Sequence, residues 1–216
     1  MKKILFNNKY GLTKAVLEGR KTQTRRVLNP TMFFQRLETF EGWSKDDISA
    51  WKRSSCRLLY EAQGYELQQM LDYALSSSRY KVGEEVAVAQ AYCDSVSEAG
   101  YNEAEINKLM HSKGWTNKMF VKADLMPHRI RITDIRVERL QEISDEDCIA
   151  EGIKTYPEAD KYMWGFSNIK GAALALKFEL STTPREAYAK LIDHISGKGT
   201  WKSNPYVFVY EFELVK

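Results

Sequence analysis

The chain has 216 residues and a net charge of +3; 44% of its residues are hydrophobic and 28% are charged. This composition is ordinary for a globular protein and excludes a chain that is disordered, collagen-like or coiled-coil throughout. So small a net charge does not by itself indicate a nucleic-acid-binding protein, and the distribution of charge along the chain is more informative.

The sequence lacks the features that indicate a membrane span, a signal peptide or a metal site. No apolar run approaches the roughly 18 residues that cross a bilayer. The basic N-terminus leads into only three apolar residues, 4–6. The three cysteines are widely spaced without a CxxC pair, and the three histidines do not show the spacing of zinc ligands. We therefore expect a reduced, cytoplasmic protein without a metal or another cofactor.

The first half of the chain alternates predicted helices and strands with two insertions. Glycine and proline mark several of the boundaries, because they end helices and strands. In chain order we predict a helix over 10–18, a strand over 20–28, an insertion over 31–80 with helices near 44 and 67, a turn at 82–85, a strand over 86–92, and an insertion over 93–117 with a polar helix near 103–111.

The second half contains the clearest helix start, at Thr183-Pro184, where a capping residue precedes a proline at the first helical position. Residues 206–214 are apolar on both faces, which is typical of a central strand in a closed barrel. In chain order we predict strands over 119–122 and 128–139, a helix over 145–151, a loop-rich insertion over 154–181, a helix from 184 to about 197, and a strand over 206–214.

The strand over 128–139 has two apolar phases. Ile130 and Ile132 share one face, whereas Ile135 and Val137 share the other. A regular strand cannot bury all four side chains, because alternate residues point to opposite faces. The pattern therefore predicts a bulge or bend near Thr133-Asp134.

Charge is concentrated in two segments of opposite sign. Residues 9–26 contain six basic residues and one acidic residue, whereas residues 142–151 contain five acidic residues and no basic ones. The two segments could pair with each other, or could form the two halves of one site. Ordinary solvated surface charge is the alternative for most of these residues.

The basic segment contains the pattern G-x-K-x-x-T-x-R, formed by Gly19, Lys21, Thr24 and Arg26. In an extended strand Thr24 and Arg26 project from the same face, and Lys21 projects from the other. A turn after Gly19 is needed to bring the lysine beside the threonine. Such a turn would direct an amine, a hydroxyl and a guanidinium into one pocket.

This pattern resembles the signature of the ASCH family, a group of PUA-like β-barrels associated with RNA. Three further stretches resemble the strand entry, the central strand with its helix, and the closing strand of that family: Val82–Val86, Ile132–Gly152 and Asn204–Phe212. Together they cover about half of the chain and leave out the three insertions. The resemblance implies one α+β domain over residues 1–216, a PUA-like (ASCH) β-barrel with flanking helices and helical insertions.

Some small ASCH proteins are amidohydrolases that remove the acetyl group of 4-acetylcytidine. Carried over, their catalytic residues fall on Lys21, Thr24 and Glu151. Thr24 would then act as a nucleophile or orient a water, and Lys21 would take the proton. Glu151 would orient Lys21 or pass a proton to the leaving amine, and Arg26 would hold a phosphate or an oxyanion.

The partner that the resemblance implies is RNA or a modified nucleoside. Many relatives have a glutamate where this chain has Gln90, and an amide cannot replace a carboxylate as a base. Two alternatives stay open: a non-catalytic RNA-binding module, and a phage or mobile-element accessory protein that binds an unknown protein. The residues we predict to bind substrate or RNA are Arg20, Arg25, Arg26, Gln90, Arg129 and Arg131.

Overall fold

The structure is a computed structural model and describes residues 1–28, 72, 74–156, 161–164 and 179–215. The two helices predicted within the first insertion lie wholly or mostly outside these residues. The chain folds as an α+β protein. Its strands are β1 (Lys3–Ile4), β2 (Gln23–Val27), β3 (Glu85–Val88), β4 (Arg129–Arg139), β5 (Lys154–Tyr156), β6 (Lys161–Trp164), β7 (Glu179–Ser181) and β8 (Tyr206–Val215).

The described helices flank a mixed sheet and confirm the helix start predicted at Thr183-Pro184. Ser144 caps the acidic helix by accepting a hydrogen bond from the Asp147 amide. Thr183 caps the helix that begins at Pro184. The helices are α1 (Leu12–Leu17), α2 (Tyr92–Ser95), α3 (Glu103–Met110), α4 (Asp145–Ala150), α5 (Pro184–Ser196) and α6 (Thr200–Ser203), with 3₁₀ turns at Lys118–Phe120, Ala123–Leu125 and Leu140–Glu142.

Five strands form the main sheet in the order β1-β3-β4-β8-β2. Strands β1 and β3 are parallel, and the other neighbouring pairs are antiparallel. Strand β8 lies between β4 and β2, as its two apolar faces predicted. The apolar core contains side chains from strands β1, β3, β4 and β8 and from helices α1, α4 and α5.

The closed barrel that we expected is not found in the part of the chain that the structure describes. The main sheet has two edges, β1 and β2, and no backbone pairing joins them there. A side chain bridges them instead, since Arg26 of β2 donates a hydrogen bond of 2.5 Å to the Leu5 carbonyl just after β1. The sheet therefore curls until its edges approach each other.

The predicted bulge in β4 is confirmed. Ile132 pairs with Phe212 and Asp134 pairs with Glu211, so Thr133 is an extra residue in the strand. The insertion reverses the alternation of faces, and Ile135 consequently packs on the same core as Ile132.

The strand predicted over 119–122 is not found. Met119 and Phe120 belong to a 3₁₀ turn, residues 121–122 have no regular secondary structure, and the Asn117 side chain accepts a hydrogen bond from the Met119 amide. Such local side-chain bonds compete with sheet pairing. The loop-rich stretch 154–181 contains a second sheet, β5-β6-β7, whose strands have only three or four residues. Strands this short show too little alternation to be recognised.

Candidate functional site

A cavity of about 630 Å³ lies where the end of β1, strand β2, helix α5 and the turn at 118–120 meet. Lys21, Thr24 and Glu151 all line it. The fold thus brings the three residues predicted to be catalytic to one concave site. A cavity of this size is in the range that holds small organic ligands.

Lys21 reaches the cavity through the turn that the sequence predicted. Helix α1 ends in a Schellman motif, in which Gly19 takes a φ of +72° and the Arg20 amide donates to the Ala15 carbonyl at 2.9 Å. The Lys21 amide donates to the same carbonyl at 3.0 Å. The chain therefore reverses direction before β2 begins, which places the Lys21 side chain against Glu151 at the end of α4.

Glu151 lies at the end of α4, which also closes in a Schellman motif. Gly152 takes a φ of +103°, and the Ile153 amide donates to the Cys148 carbonyl at 3.3 Å. The Thr22 amide donates to the Ala150 carbonyl at 2.9 Å and ties the two helix ends together. Two glycine-closed helix ends therefore position the Lys21–Glu151 pair.

Gly152→Ala is expected to weaken both the fold and the site. A side chain at this φ costs about 1–2 kcal/mol, and the new Cβ would lie 3.3 Å from Leu12 Cδ2 and 3.6 Å from Lys21 Cβ. Urea unfolding measures the effect on the fold, and the rate of 4-acetylcytidine deacetylation, the activity that the family resemblance implies, measures the effect on the site. The control is Gly83→Ala, at φ +81° with no atom within 4 Å of the new Cβ. Equal stability losses and equal activities in the two variants would contradict this prediction.

Lys21 and Glu151 form a buried ion pair. Lys21 Nζ lies 2.5 Å from Glu151 Oε2 and 2.8 Å from the Glu151 carbonyl oxygen, and the two side chains are 1% and 6% exposed. Burial lowers the pKa of Lys21 below its ordinary value. Glu151 opposes this shift, and Arg26 and Arg25 add to it. The site therefore contains an amine that loses its proton more readily than an exposed lysine does.

Thr24 lines the same cavity from β2 and is 5% exposed. Its hydroxyl makes no hydrogen bond to Lys21 or to another residue within the described ranges. Catalytic hydrogen bonds are often long in a site without substrate and shorten when substrate binds. The hydroxyl is thus left for an occupant of the cavity.

Arg25 is fully buried and bound by carboxylates. Its guanidinium lies 2.7 Å from Glu138, 2.6 Å from Asp147 and 3.4 Å from Glu151 Oε1. Burial lowers the pKa of Arg25, but the facing carboxylates outweigh it, and the net shift is upward. The residues that share these contacts, named here the ion-pair cluster, are Arg25, Arg136, Glu138, Asp147, Glu151 and Glu211.

The ion-pair cluster shows that the basic and acidic segments of the sequence pair with each other. Arg25 and Lys21 of the basic segment hold Asp147 and Glu151 of the acidic one. The Arg25 contact fixes one oxygen of Glu151 while the other faces Lys21. Arg25 therefore acts on the site through Glu151, as a positioning residue.

Arg26 and Lys118 line the cavity near Phe6. Arg26 Cζ lies 5.8 Å from the centre of the Phe6 ring, and Lys21 Nζ lies 5.9 Å from the same centre. Lys118 donates hydrogen bonds to the Phe6 carbonyl and, at 2.7 Å, to Asn8 Oδ1. Burial lowers the pKa of Lys118 to about 8.

The other residues predicted to bind substrate or RNA do not line this cavity. Arg20 is exposed and donates to Glu18 at 2.8 Å. Arg129 and Arg131 lie at the start of β4, 3.8 Å and 3.0 Å from Glu85. Gln90 is buried, and its Oε1 has no hydrogen-bond partner in the structure.

Some residues of the site were not predicted from the sequence. Asp147 is one of them. It lies four residues before the predicted Glu151, on the same helical face, and this spacing could have indicated that the two carboxylates share a partner. Glu138 and Lys118 come from other parts of the chain. Nothing local to Lys118 indicates that it reaches the cavity, because only the long-range packing of the turn at 118–120 brings it there.

The described residues contain no group of three or more metal-ligating side chains. None of the described helices has the length and apolarity that a membrane crossing requires. In comparisons with family models, curated proteins and solved structures, the chain matches none of them.

Proposed function

We propose that this chain is an ASCH-type, PUA-like amidohydrolase that removes the acetyl group from an acetylated cytidine. The proposal rests on the arrangement of Lys21, Thr24 and Glu151 around one cavity. A buried amine with a lowered pKa and an unpaired hydroxyl that line one cavity are the groups that nucleophilic acyl transfer requires.

The contacts of Lys21 explain how it would act as a base. As an ammonium it has three N–H groups, and two of them donate to Glu151, one to the carbonyl oxygen and one to Oε2. As a neutral amine it has two N–H groups, which both bond to Glu151, and one lone pair in the remaining direction. Glu151 therefore orients the lone pair of Lys21 away from itself.

The reaction then proceeds in two balanced halves. Lys21 takes the proton of Thr24 as Oγ1 attacks the acetyl carbon, and the carbonyl electron pair moves to oxygen. Collapse of this tetrahedral intermediate breaks the C–N bond, and Lys21 returns the proton to the departing amine. Water then attacks the acetyl-Thr24 ester and gives one proton to Lys21. The bond between the acyl carbon and Thr24 Oγ1 breaks, Lys21 returns the proton to Oγ1, and acetic acid leaves and loses its proton to solvent.

The apolar walls of the cavity suit the pyrimidine ring of such a substrate. Side chains of Leu12, Tyr188, Leu191 and Ile192 line the cavity along with Phe6. Apolar walls bind a base by burying its apolar faces and exclude water from the acyl carbon. Binding of this kind places the acetyl group beside the polar residues of the cavity.

The test is incubation of the protein with 4-acetylcytidine and separation of the products by chromatography. We expect deacetylation by the wild type and a loss of at least about 10³-fold in kcat/KM for Thr24→Val, which removes the nucleophile with little change of shape. The matched control is Thr22→Val, in the same segment with an exposed side chain. No release of cytidine by the wild type would refute the hydrolytic function.

Thr24→Val and Arg26→Ala together distinguish hydrolysis from the alternative of an RNA-binding module without catalytic activity. RNA affinity that falls steeply with salt, is lost in Arg26→Ala and is kept in Thr24→Val would support the module, provided that no deacetylation occurs. Arg26 is the residue to change, because it faces the cavity and makes no ion pair with a described carboxylate.

A further inference from the structure

The cations around the cavity fall into two groups. Lys21 and Arg25 are paired with Glu151 or other carboxylates of the ion-pair cluster. Arg26 and Lys118 form no ion pair within the described ranges, and both line the cavity. The second group therefore has charge left for a bound anion.

Neutral oxygen atoms hold these two side chains in place. Arg26 Nη2 donates to the Leu5 carbonyl at 2.5 Å. Lys118 Nζ donates to the carbonyl of the next residue, Phe6, and to Thr13 Oγ1 at 3.3 Å. The two cations thus bind consecutive residues of the chain, which orients them without neutralising them.

The two cations are close enough to repel each other. Burial and the charge of Arg26 both lower the pKa of Lys118. Asp94, which is too far from Lys118 to form an ion pair, opposes this shift. Two half-buried cations at one cavity cost free energy unless an anion joins them. An anion between them would relieve this cost, and its own binding would be strengthened by the low dielectric of the cavity.

We propose that Arg26 and Lys118 form an anion subsite that binds the phosphate of a nucleoside monophosphate, so that an acetylated cytidine nucleotide is a better substrate than the free nucleoside. This inference rests on the proposed function for the identity of the base. The subsite itself rests on the two cations. A phosphomonoester carries about −1.5 to −2 charges at neutral pH and matches two cations, whereas a phosphodiester of RNA carries one.

The experiment combines binding with turnover. Calorimetric titration at low salt compares cytidine 5′-monophosphate, cytidine and a short single-stranded RNA without terminal phosphates. Chromatography compares kcat/KM for 4-acetylcytidine 5′-monophosphate and 4-acetylcytidine. We expect the wild type to prefer the monophosphate in both measurements, and Lys118→Met to reduce each preference by about 10-fold or more.

Two further variants control for folding and for general charge. Lys118→Arg keeps a cation at the site and should restore much of the preference in Lys118→Met. Lys122→Met removes an exposed lysine from the neighbouring turn, outside the cavity, and should leave the preference unchanged. Loss of the preference in Lys118→Met with rescue by Lys118→Arg supports the subsite, and loss in both lysine-118 variants or in Lys122→Met overturns it.

The pH dependence gives an independent readout. Lys118 has a pKa of about 8, with Arg26 and Asp94 as the charged groups that act on it. Its positive charge is lost as pH rises through 8, so binding of cytidine 5′-monophosphate should weaken there. Lys118→Arg should remove that change, since an arginine stays charged. A binding constant that is independent of pH in the wild type between 7 and 9 would overturn the subsite.

The outcomes separate the two proposals. Preferential binding of cytidine 5′-monophosphate without any deacetylation would keep the subsite and refute the hydrolytic function. Deacetylation with equal kcat/KM for nucleoside and nucleotide would keep the hydrolytic function and overturn the subsite. Binding of the RNA but not of cytidine 5′-monophosphate would overturn the monophosphate as ligand.

Discussion

Lys21→Met is expected to reduce kcat/KM for 4-acetylcytidine by about 10²–10⁴-fold, the usual contribution of a general base. Methionine preserves the length and apolar stem of the lysine but supplies no lone pair on nitrogen. Glu151 keeps Arg25 as a partner at 3.4 Å, so the carboxylate is not left alone. Chromatographic rates at saturating and limiting substrate measure the effect.

The pH profile of the wild type identifies the role of Lys21. Burial lowers the pKa of Lys21 below its ordinary value of 10.5. The neutral amine is the active form, so kcat/KM should rise with pH through that lowered pKa and then level off. Lys21→Arg should be inactive throughout, because an arginine is not deprotonated in this range.

The matched control for Lys21→Met is Lys14→Met, on α1 with a side chain that is 62% exposed. It removes the same charge from the same segment and should retain wild-type activity. Activity in Lys21→Met above one tenth of the wild-type value, or a wild-type profile without a rising limb, would contradict the assignment of Lys21 as the base.

Arg25→Met is expected to lower the free energy of unfolding by about 3–5 kcal/mol, because it removes one partner from a set of buried ion pairs. Glu138, Asp147 and Glu151 would each lose a guanidinium contact. Since the Arg25 contact fixes Glu151, we also expect a fall in kcat/KM at temperatures where the variant is folded. Urea unfolding followed by circular dichroism measures the stability.

The comparison variant is Arg20→Met, five residues earlier. Arg20 also pairs with a glutamate, Glu18, but the two side chains are 37% and 39% exposed. Exposed pairs contribute no more than about 1 kcal/mol, so Arg20→Met should remain close to the wild type. A similar loss of unfolding free energy in Arg20→Met and Arg25→Met would show that the stability contributed by Arg25 does not depend on its burial.

The positions of Lys21 and Glu151 could be predicted in part from the sequence because local signals determine them. Gly19 and Gly152 each end a helix at a positive φ, a conformation that favours glycine, and each does so within two residues of a proposed catalytic residue. The turn after Gly19 lets Lys21 face the same cavity as Thr24, although a continuous strand would place the two side chains on opposite faces. The bulge at Thr133 likewise follows from a change of apolar phase within one strand.

The partners of the charged residues could not be predicted in the same way. Arg25 was predicted to bind substrate, but it contacts Glu138, Asp147 and Glu151, which lie more than 100 residues away. Lys118 reaches the cavity from the turn that follows the 93–117 insertion, a part of the chain that the family resemblance does not cover. Neither contact leaves a signature in the sequence around the residue.

The sequence alone determined the α+β class, the helix ends, the bulge and the segment that carries Lys21 and Thr24. These features depend on backbone conformation and on alternation over a few residues, which neighbouring side chains control. The tertiary structure decided which cations are paired with carboxylates and which remain available to bind an anion. It also decided that the described strands of the main sheet form a curled sheet with two edges. Those properties depend on which distant segments pack together, because an ion pair or a strand pair forms only where the whole chain brings its two members within reach.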